Sequence, residues 1–163
     1  MIDIYDSEAI VKIYRLLNKK CEALDKFIND HAFYFGPTSA EYSSQDVCNH
    51  IIQLMERKNR LINLKLIVDQ AIRTLNEKDK KILLIKLNYN ITLGEICEVL
   101  NLQERTAFRR IERAYEDLAE ALNNSKHAKK LEKILRSEQW IENVKSMVEA
   151  RRLSYRNACS NSL

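Results

Sequence analysis

Four arginines lie close together in the C-terminal half of the chain, at positions 105, 109, 110 and 113. At about 100° per residue on a helix, Arg105, Arg109 and Arg113 gather on one side. Guanidinium groups bind phosphates and guanine edges through paired hydrogen bonds, so this side suits a polyanion. The opposite side of the same wheel is apolar and consists of Ala107, Ile111, Ala114, Tyr115, Leu118 and Leu122. The spacing predicts a helix with one side for a core and one side for nucleic acid.

A shorter helix is expected immediately upstream of the arginine helix. Thr92 and Glu95 form a capping-box pattern for its start, and apolar residues then recur at helical spacing at 96, 99 and 100. Asn101 interrupts the pattern, and Asn tolerates the left-handed backbone that a sharp turn needs. The arginine helix then begins near Gln103. Residues 92–118 are therefore predicted to form two helices joined by a tight turn.

Residues 92–118 resemble region four of bacterial sigma factors and the related phage late-gene activators of the ArpU/RinA type, and the upstream helix expected around Leu75 to Leu87 fits the same domain. The shared pattern is a polar cap, Glu95-Ile96, a small residue at Cys97, Leu100, a turn, and Arg105-Thr106 ahead of Arg109-Arg110 and Arg113-Ala114. Three positions depart from it: Asn101 stands where Gly is usual, Gln103 replaces a Ser or Thr cap, and Gly94 lies inside the first helix. The resemblance implies binding to double-stranded DNA, with recruitment of RNA polymerase to a promoter or activation of phage or prophage late genes.

In a helix-turn-helix of this kind, the second helix enters the major groove and its early residues reach the base edges. Arg105 and Arg109 are the predicted base contacts, with Gln103 and Glu104 as weaker candidates. The predicted contacts to phosphates, which also set the register, are Thr92, Thr106, Arg110 and Arg113. In the alternative interpretation, Glu104, Glu112 and Glu116 pair with the arginines and leave only a solvated face.

Two further residues of the motif have a structural and a functional interpretation. Phe108 lies at the edge of the apolar arc, where packing is favoured over stacking on a base. Cys97 is explained by its small size, because the two helices approach closely there, and a reactive thiol is the alternative.

Composition restricts the fold and argues against several functions. Only two Gly and one Pro occur among 163 residues, too few for the turns of a β-rich protein, so an all-α class is predicted. The four cysteines have no C-x-x-C spacing, and buried or incidental thiols are favoured over disulfides or metal ligands. No Gly-rich phosphate loop, nucleophile elbow or pair of catalytic carboxylates is recognisable, so we expect no enzyme activity, no cofactor and no metal. The net charge of +4 permits nucleic-acid binding, and without a long apolar run a cytoplasmic protein with no membrane span is expected.

The first 75 residues are predicted to form a long helical hairpin. An a/d seam extends from about Ser7 to His31 through Ile10, Tyr14, Leu17, Cys21, Leu24 and Ile28. The second helix is expected from Ser44 to Leu75, with an apolar stripe through Val47, Ile51, Leu54, Leu61, Val68 and Ile72 that Lys58 and Lys65 interrupt. Because this helix is the longer one, its surplus apolar surface either packs beneath the helix-turn-helix or favours a homodimer. The two lysines are expected to snorkel or to pair with Glu on a neighbour.

The rest of the chain carries a basic run and a last helix. The positive charges at 126, 129, 130, 133 and 136 form either a second phosphate-binding surface or an exposed linker helix. A last helix is expected from Ser137, with Trp140 as a packing anchor. The predicted domains are a hairpin at 1–75, a DNA-binding helix-turn-helix at 76–123, and a basic C-terminal helix and tail at 124–163. The predicted function is a sequence-specific transcriptional regulator. The alternative is a helical interaction adaptor, for example one that binds RNA polymerase, without DNA specificity of its own.

Overall fold

The computed structural model describes residues 1–34, 43–89 and 91–160. These residues form seven α-helices and no β-strand, which confirms the all-α prediction. The helices are α1 (Ile4–Tyr34), α2 (Ser44–Thr74), α3 (Glu77–Asn88), α4 (Leu93–Leu100), α5 (Glu104–Asn124), α6 (Ala128–Ser137) and α7 (Gln139–Ser160).

Helix α1 begins earlier than the predicted Ser7. Asp3 Oδ1 accepts a hydrogen bond from the backbone N–H of Asp6 at 2.8 Å, and Asp6 Oδ2 accepts one from the backbone N–H of Asp3 at 3.1 Å. This reciprocal pair satisfies two N–H groups that a helix start otherwise leaves without partners. The helix therefore starts at Ile4, directly after its cap.

The chain divides into two compact units, one of residues 1–15 together with 67–163, the other of residues 16–66. Helices α1 and α2 contribute residues to both units. The predicted segments 1–75, 76–123 and 124–163 were defined by function and stay a prediction.

In the unit of residues 16–66, α1 and α2 run antiparallel. Lys58 Nζ lies 2.5 Å from Asp25 Oδ1, and Lys65 Nζ lies 2.9 Å from Asn18 Oδ1. The later residue of α2 thus contacts the earlier residue of α1, as antiparallel helices require. Leu17, Leu24, Leu61 and Leu64 are buried in this unit. Both lysines interrupt the apolar stripe as predicted, and Asp25 and Asn18 of α1 are among their partners.

In the other unit, α5 packs against α3, α4 and α6. The start of the chain is fixed to the end of α5 by a reciprocal amide pair, in which Asn123 accepts from the Ile2 N–H and donates to the Ile2 carbonyl, both at 2.8 Å. The Ser7 hydroxyl donates to the Tyr115 carbonyl at 2.8 Å. These bonds attach the first turns of α1 to the side of α5 that carries the apolar residues.

Helix α6 is packed rather than an exposed linker. Leu131, Ile134 and Leu135 are buried along one side, and α6 contacts both α5 and α7. Helix α7 begins at Gln139, two residues after the predicted start, because α6 continues through Ser137. The connecting Glu138 is buried and accepts a hydrogen bond from the indole N–H of Trp140 at 3.0 Å.

Candidate nucleic-acid interface

The predicted capping box at the start of α4 is present. Thr92 Oγ1 accepts from the Glu95 N–H at 3.3 Å, and Glu95 Oε2 accepts from the Thr92 N–H at 2.5 Å. The Thr92 hydroxyl also donates to Glu95 at 2.9 Å. The backbone N–H of Thr92, and then its hydroxyl, hold the pKa of Glu95 below its usual value. A phosphate contact through the Thr92 hydroxyl would therefore compete with the cap.

The turn after α4 has the backbone that the sequence predicts. Asn101 adopts φ 49° and ψ 54°, the only positive φ at a non-Gly residue within the described chain. The N–H of Leu102 then donates to the Cys97 carbonyl at 2.9 Å and closes the end of the helix. Asn enters this left-handed region at a lower cost than most residues, so the absence of Gly does not prevent the turn. Leu102 and Gln103 lead directly into α5.

The buried side of α5 agrees with the prediction at every position. All six residues of the apolar arc are buried: Ala107, Ile111, Ala114, Tyr115, Leu118 and Leu122. Burial raises the pKa of the Tyr115 phenol above its ordinary value, and the nearby Glu8 carboxylate adds to the shift. Leu100, on α4, is only half-buried.

The opposite side of α5 faces solvent. All eight predicted DNA contacts are exposed: Thr92, Gln103, Glu104, Arg105, Thr106, Arg109, Arg110 and Arg113. Within the described residues, Arg105, Arg109 and Arg110 form no ion pair. Arg113 lies 3.8 Å from Asp117, with its side chain 73% exposed, and such a pair contributes little energy. Seven of the eight residues lie on α5 or its cap, and Thr92 lies at the start of α4.

Glu112, a predicted competitor for the arginines, is held by α7 instead. The guanidinium of Arg152 binds both Glu112 oxygens, at 2.7 and 2.8 Å. Its Nε binds Glu8 at 2.6 Å, and Arg151 binds the other oxygen of Glu8 at 2.5 Å. Desolvation lowers the pKa of Arg152, but the bonds to Glu112 and Glu8 outweigh it and the net shift is upward.

This network joins three helices, because Glu8 lies on α1, Glu112 on α5 and Arg152 on α7. The sequence analysis missed it, since the partners lie 40 and 144 positions apart. The only sequence signal is the Arg-Arg pair at 151–152 within a helix that otherwise carries an apolar stripe.

A second acidic residue of α5, Asp117, lies against Asp79 of α3. Burial raises the pKa of Asp117, and so do the hydrogen bond that its protonated form donates to Asp79 and the negative charge of Asp79. Asp79 is itself buried, and its carboxylate accepts a hydrogen bond from the side-chain amide of Asn76, which caps α3. The backbone N–H of Asp79 in turn donates to Asn76 Oδ1 at 3.0 Å. Protonation of Asp117 is therefore easier than that of an isolated aspartate.

Phe108 does not pack as predicted. Its side chain is 54% exposed, on the edge of the arginine side of α5. The helical wheel gave its direction correctly, but no neighbouring helix covers that edge within the described chain. Phe108 is thus an aromatic surface beside the exposed arginines.

The basic residues of the α6 region also face solvent: Lys126, Lys129, Lys130, Lys133 and Arg136. Among the described residues, no group of three or more His, Cys, Asp or Glu side chains is arranged to hold a metal ion. In the same ranges, no helix has the length and apolar character needed to cross a membrane.

Comparison with known proteins adds no relative, since no protein-family model, curated protein or solved structure matches the chain. Any functional assignment therefore depends on the residues and geometry described above and on the resemblance of residues 92–118.

Proposed function

We propose that this protein is a sequence-specific regulator of transcription that binds double-stranded DNA. In this proposal α4, the turn at Asn101 and α5 form a helix-turn-helix of the sigma region four type, and α1 with α2 forms a long hairpin. The gene context suggested by the resemblance is late transcription of a phage or prophage, in the cytoplasm and with RNA polymerase as a further partner. The observation that carries the proposal is the set of three exposed arginines on one side of α5, at 105, 109 and 110, that form no ion pair with any residue the structure describes.

The structure around the turn supports this use of α5. The left-handed turn at Asn101 leaves the first residues of α5 exposed, and in such motifs these residues reach the base edges. Gln103 caps α5 through its backbone alone, so its side-chain amide is available to a base or a phosphate. Arg105 and Arg109 follow one turn apart, which matches consecutive base pairs along the groove.

The test begins with selection of bound fragments from a random pool of double-stranded DNA. Arg109→Ala is expected to weaken binding to the selected site by about 1–3 kcal/mol and to relax the preference at one base position. Arg113→Ala should weaken binding to all sequences alike, because its contact is to a phosphate. Lys26→Ala is the matched control, since Lys26 is an exposed cation of α1 in the other unit.

Salt dependence completes the test. A protein that neutralises phosphates loses affinity steeply as salt rises, and removing one phosphate contact reduces that slope by about 1. Selection that yields no preferred sequence, or arginine variants that bind like the Lys26 control, would reject the proposed interface.

The second candidate is an interaction adaptor that contacts RNA polymerase or another protein without DNA specificity. Exposed apolar residues of the 16–66 unit favour it, among them Phe27, Ile52 and Leu66. An apolar helical interface would be nearly insensitive to salt, so the same titration separates the two candidates.

A further inference from the structure

Helix α2 carries two different apolar stripes. The inner stripe packs within its own unit and includes the buried Leu61 and the half-buried Ile51 and Leu54. The outer stripe consists of Ile52, Met55, Ile62 and Leu66, with exposed fractions between 39% and 53%. At 100° per residue the outer stripe lies roughly 110° around the helix from the inner one. Helix α2 therefore has a second side suited to packing that no other described part of the chain covers.

The outer stripe follows coiled-coil spacing. Ile52, Met55, Asn59, Ile62 and Leu66 are separated by alternating steps of three and four, which are the a and d positions of a heptad. Asn59, at the central a position, is exposed like its apolar neighbours. Scattered surface hydrophobics do not generally keep such a register over two heptads.

We propose that this face binds a second copy of the same chain, forming a parallel homodimer through α2 in which the two Asn59 side chains meet. A single Asn at an a position weakens a seam against most partners, but it fixes register when an identical Asn stands opposite. In a parallel two-fold dimer each residue of the seam contacts the same residue of the other copy, so Asn59 of the second copy lies opposite Asn59 of the first. The interface is independent of the proposed function, since it holds whether or not the chain binds DNA.

The charges beside the seam decide the orientation. With Ile52 at an a position, Glu56 and Asn63 occupy e positions, and Lys58 and Lys65 occupy g positions. In a parallel pair a g residue meets the e residue five positions later in the other copy, so Lys58 meets Asn63 without repulsion. In an antiparallel pair e faces e and g faces g. Lys58 and Lys65 are bound to Asp25 and Asn18 of α1, so the repulsion that matters is between the two exposed Glu56 side chains. Parallel pairing avoids this like-charge contact.

The first experiment is sedimentation equilibrium of the full chain from 1 to roughly 100 micromolar, a range that covers ordinary transient dimers. The parent is expected to dimerise within it. Ile62→Asp should weaken the dimer at least about 100-fold, since it places a charge in the seam. Leu84→Asp is the matched control, because Leu84 of α3 has nearly the same exposed fraction, 41% against 39%, and lies in the other unit. Helix content measured by circular dichroism shows whether each variant folds, and Met55→Glu replaces Ile62→Asp if that variant does not.

Asn59→Val tests the register. An apolar a position is expected to tighten self-association by about tenfold or more and to admit species larger than a dimer. A dimer that Asn59→Val leaves unchanged would contradict the meeting of the two Asn59 side chains.

Cys48 tests the orientation. It is exposed and stands four positions before Ile52, at a d position, so a parallel dimer places it beside its own copy. In a variant whose other cysteines are replaced by Ser, mild oxidation should link most dimers through Cys48. An antiparallel pair centred on Asn59 would separate the two Cys48 residues by roughly 30 Å at 1.5 Å per residue. A parent that stays monomeric, a dimer that survives Ile62→Asp, or a dimer without the Cys48 link would overturn the proposal.

Discussion

Substituting Arg152 tests whether α7 keeps the arginine side of α5 free of competing negative charge. The side chain is 14% exposed and bridges Glu8 and Glu112. In Arg152→Met the aliphatic stem remains and the charge is lost, which leaves Glu112 without its bidentate partner. Glu8 is 2% exposed but keeps Arg151 and, at 3.4 Å, Lys12.

The expected loss of stability follows from those remaining partners. Breaking a buried pair by removing one member costs about 3–5 kcal/mol. Because Glu8 keeps two cations and Glu112 is 27% exposed, we expect about 2–3 kcal/mol for Arg152→Met, at the lower end of that range or below it. For a chain of this length that lowers the melting temperature by roughly 5–10 °C. Arg151→Met is the matched control, since its side chain is 54% exposed and binds only Glu8, so it should cost about 1 kcal/mol or less.

The same substitution should weaken DNA binding through Glu112. Once released, Glu112 lies one helical turn from Arg109 and can pair with it, in competition with the DNA. We expect a loss of at most about fivefold in affinity, because exposed helical pairs are worth at most about 1 kcal/mol. The double variant Arg152→Met with Glu112→Gln should recover the affinity but not the full stability.

Two measurements decide the matter: thermal unfolding of each variant, and titration of each with the selected DNA at a temperature where all are folded. An Arg152→Met protein that binds DNA as tightly as the parent would refute the competition argument. Equal affinity of the single and double variants would do the same, since the loss would then not pass through Glu112.

The remaining predictions concern stability. Ile111→Ala should cost about 2–5 kcal/mol in chemical denaturation, whereas the half-buried Leu100→Ala should cost less; equal losses would contradict the burial difference. Asn101→Gly should leave the melting temperature unchanged or raise it, and Asn101→Ala should lower the stability by about 1 kcal/mol, because Ala resists a positive φ. Asp117→Asn should stabilise the protein at pH 7, because it removes a carboxyl whose charged form is disfavoured by burial and by the neighbouring Asp79. Since the folded-state pKa of Asp117 is raised above the unfolded value, the parent gains stability as the pH falls through that pKa. The advantage of Asp117→Asn should therefore shrink toward pH 4, and a constant advantage would show that Asp79 does not act on it.

The parts of the structure that the sequence predicted are those fixed by near neighbours. The Thr92–Glu95 box and the left-handed Asn101 both depend on hydrogen bonds spanning three to five residues. The buried arc of α5 follows from helical periodicity alone, because a long helix that packs on several others must bury its apolar side. The Asp3–Asp6 cap of α1 belongs to the same class, and its Asp-x-x-Asp pattern was available in the sequence.

The features that the sequence did not predict depend on how far helices from distant parts of the chain extend. Phe108 had the expected direction, but whether an edge position is covered depends on the extent of a neighbouring helix, which periodicity does not give. The sequence indicated that α2 has more apolar residues than one partner helix can cover, but it did not indicate which of them are buried and which are exposed. Leu61 and Leu64 turned out buried, while Ile62 and Leu66 are exposed. Adjacent apolar residues of α2 thus differ in burial because they point to different sides of the helix, and which side is covered follows only from the packing.

Charge on α5 shows why a count of residues underestimates a binding surface. The helix contains five acidic residues and four arginines, which by composition alone argues against a polyanion. Yet Glu112 is neutralised by Arg152 on its own flank, and Asp117 lies against Asp79 with a raised pKa and at 3.8 Å from Arg113. Both acids thus lie at the sides of the helix, where Arg152 and Arg113 partly cancel their fields. Screening limits what remains of these fields across the helix, so the outward side carries the charge of the arginines that form no ion pair among the described residues. If α5 binds DNA, α7 contributes by holding the Glu112 carboxylate away from it.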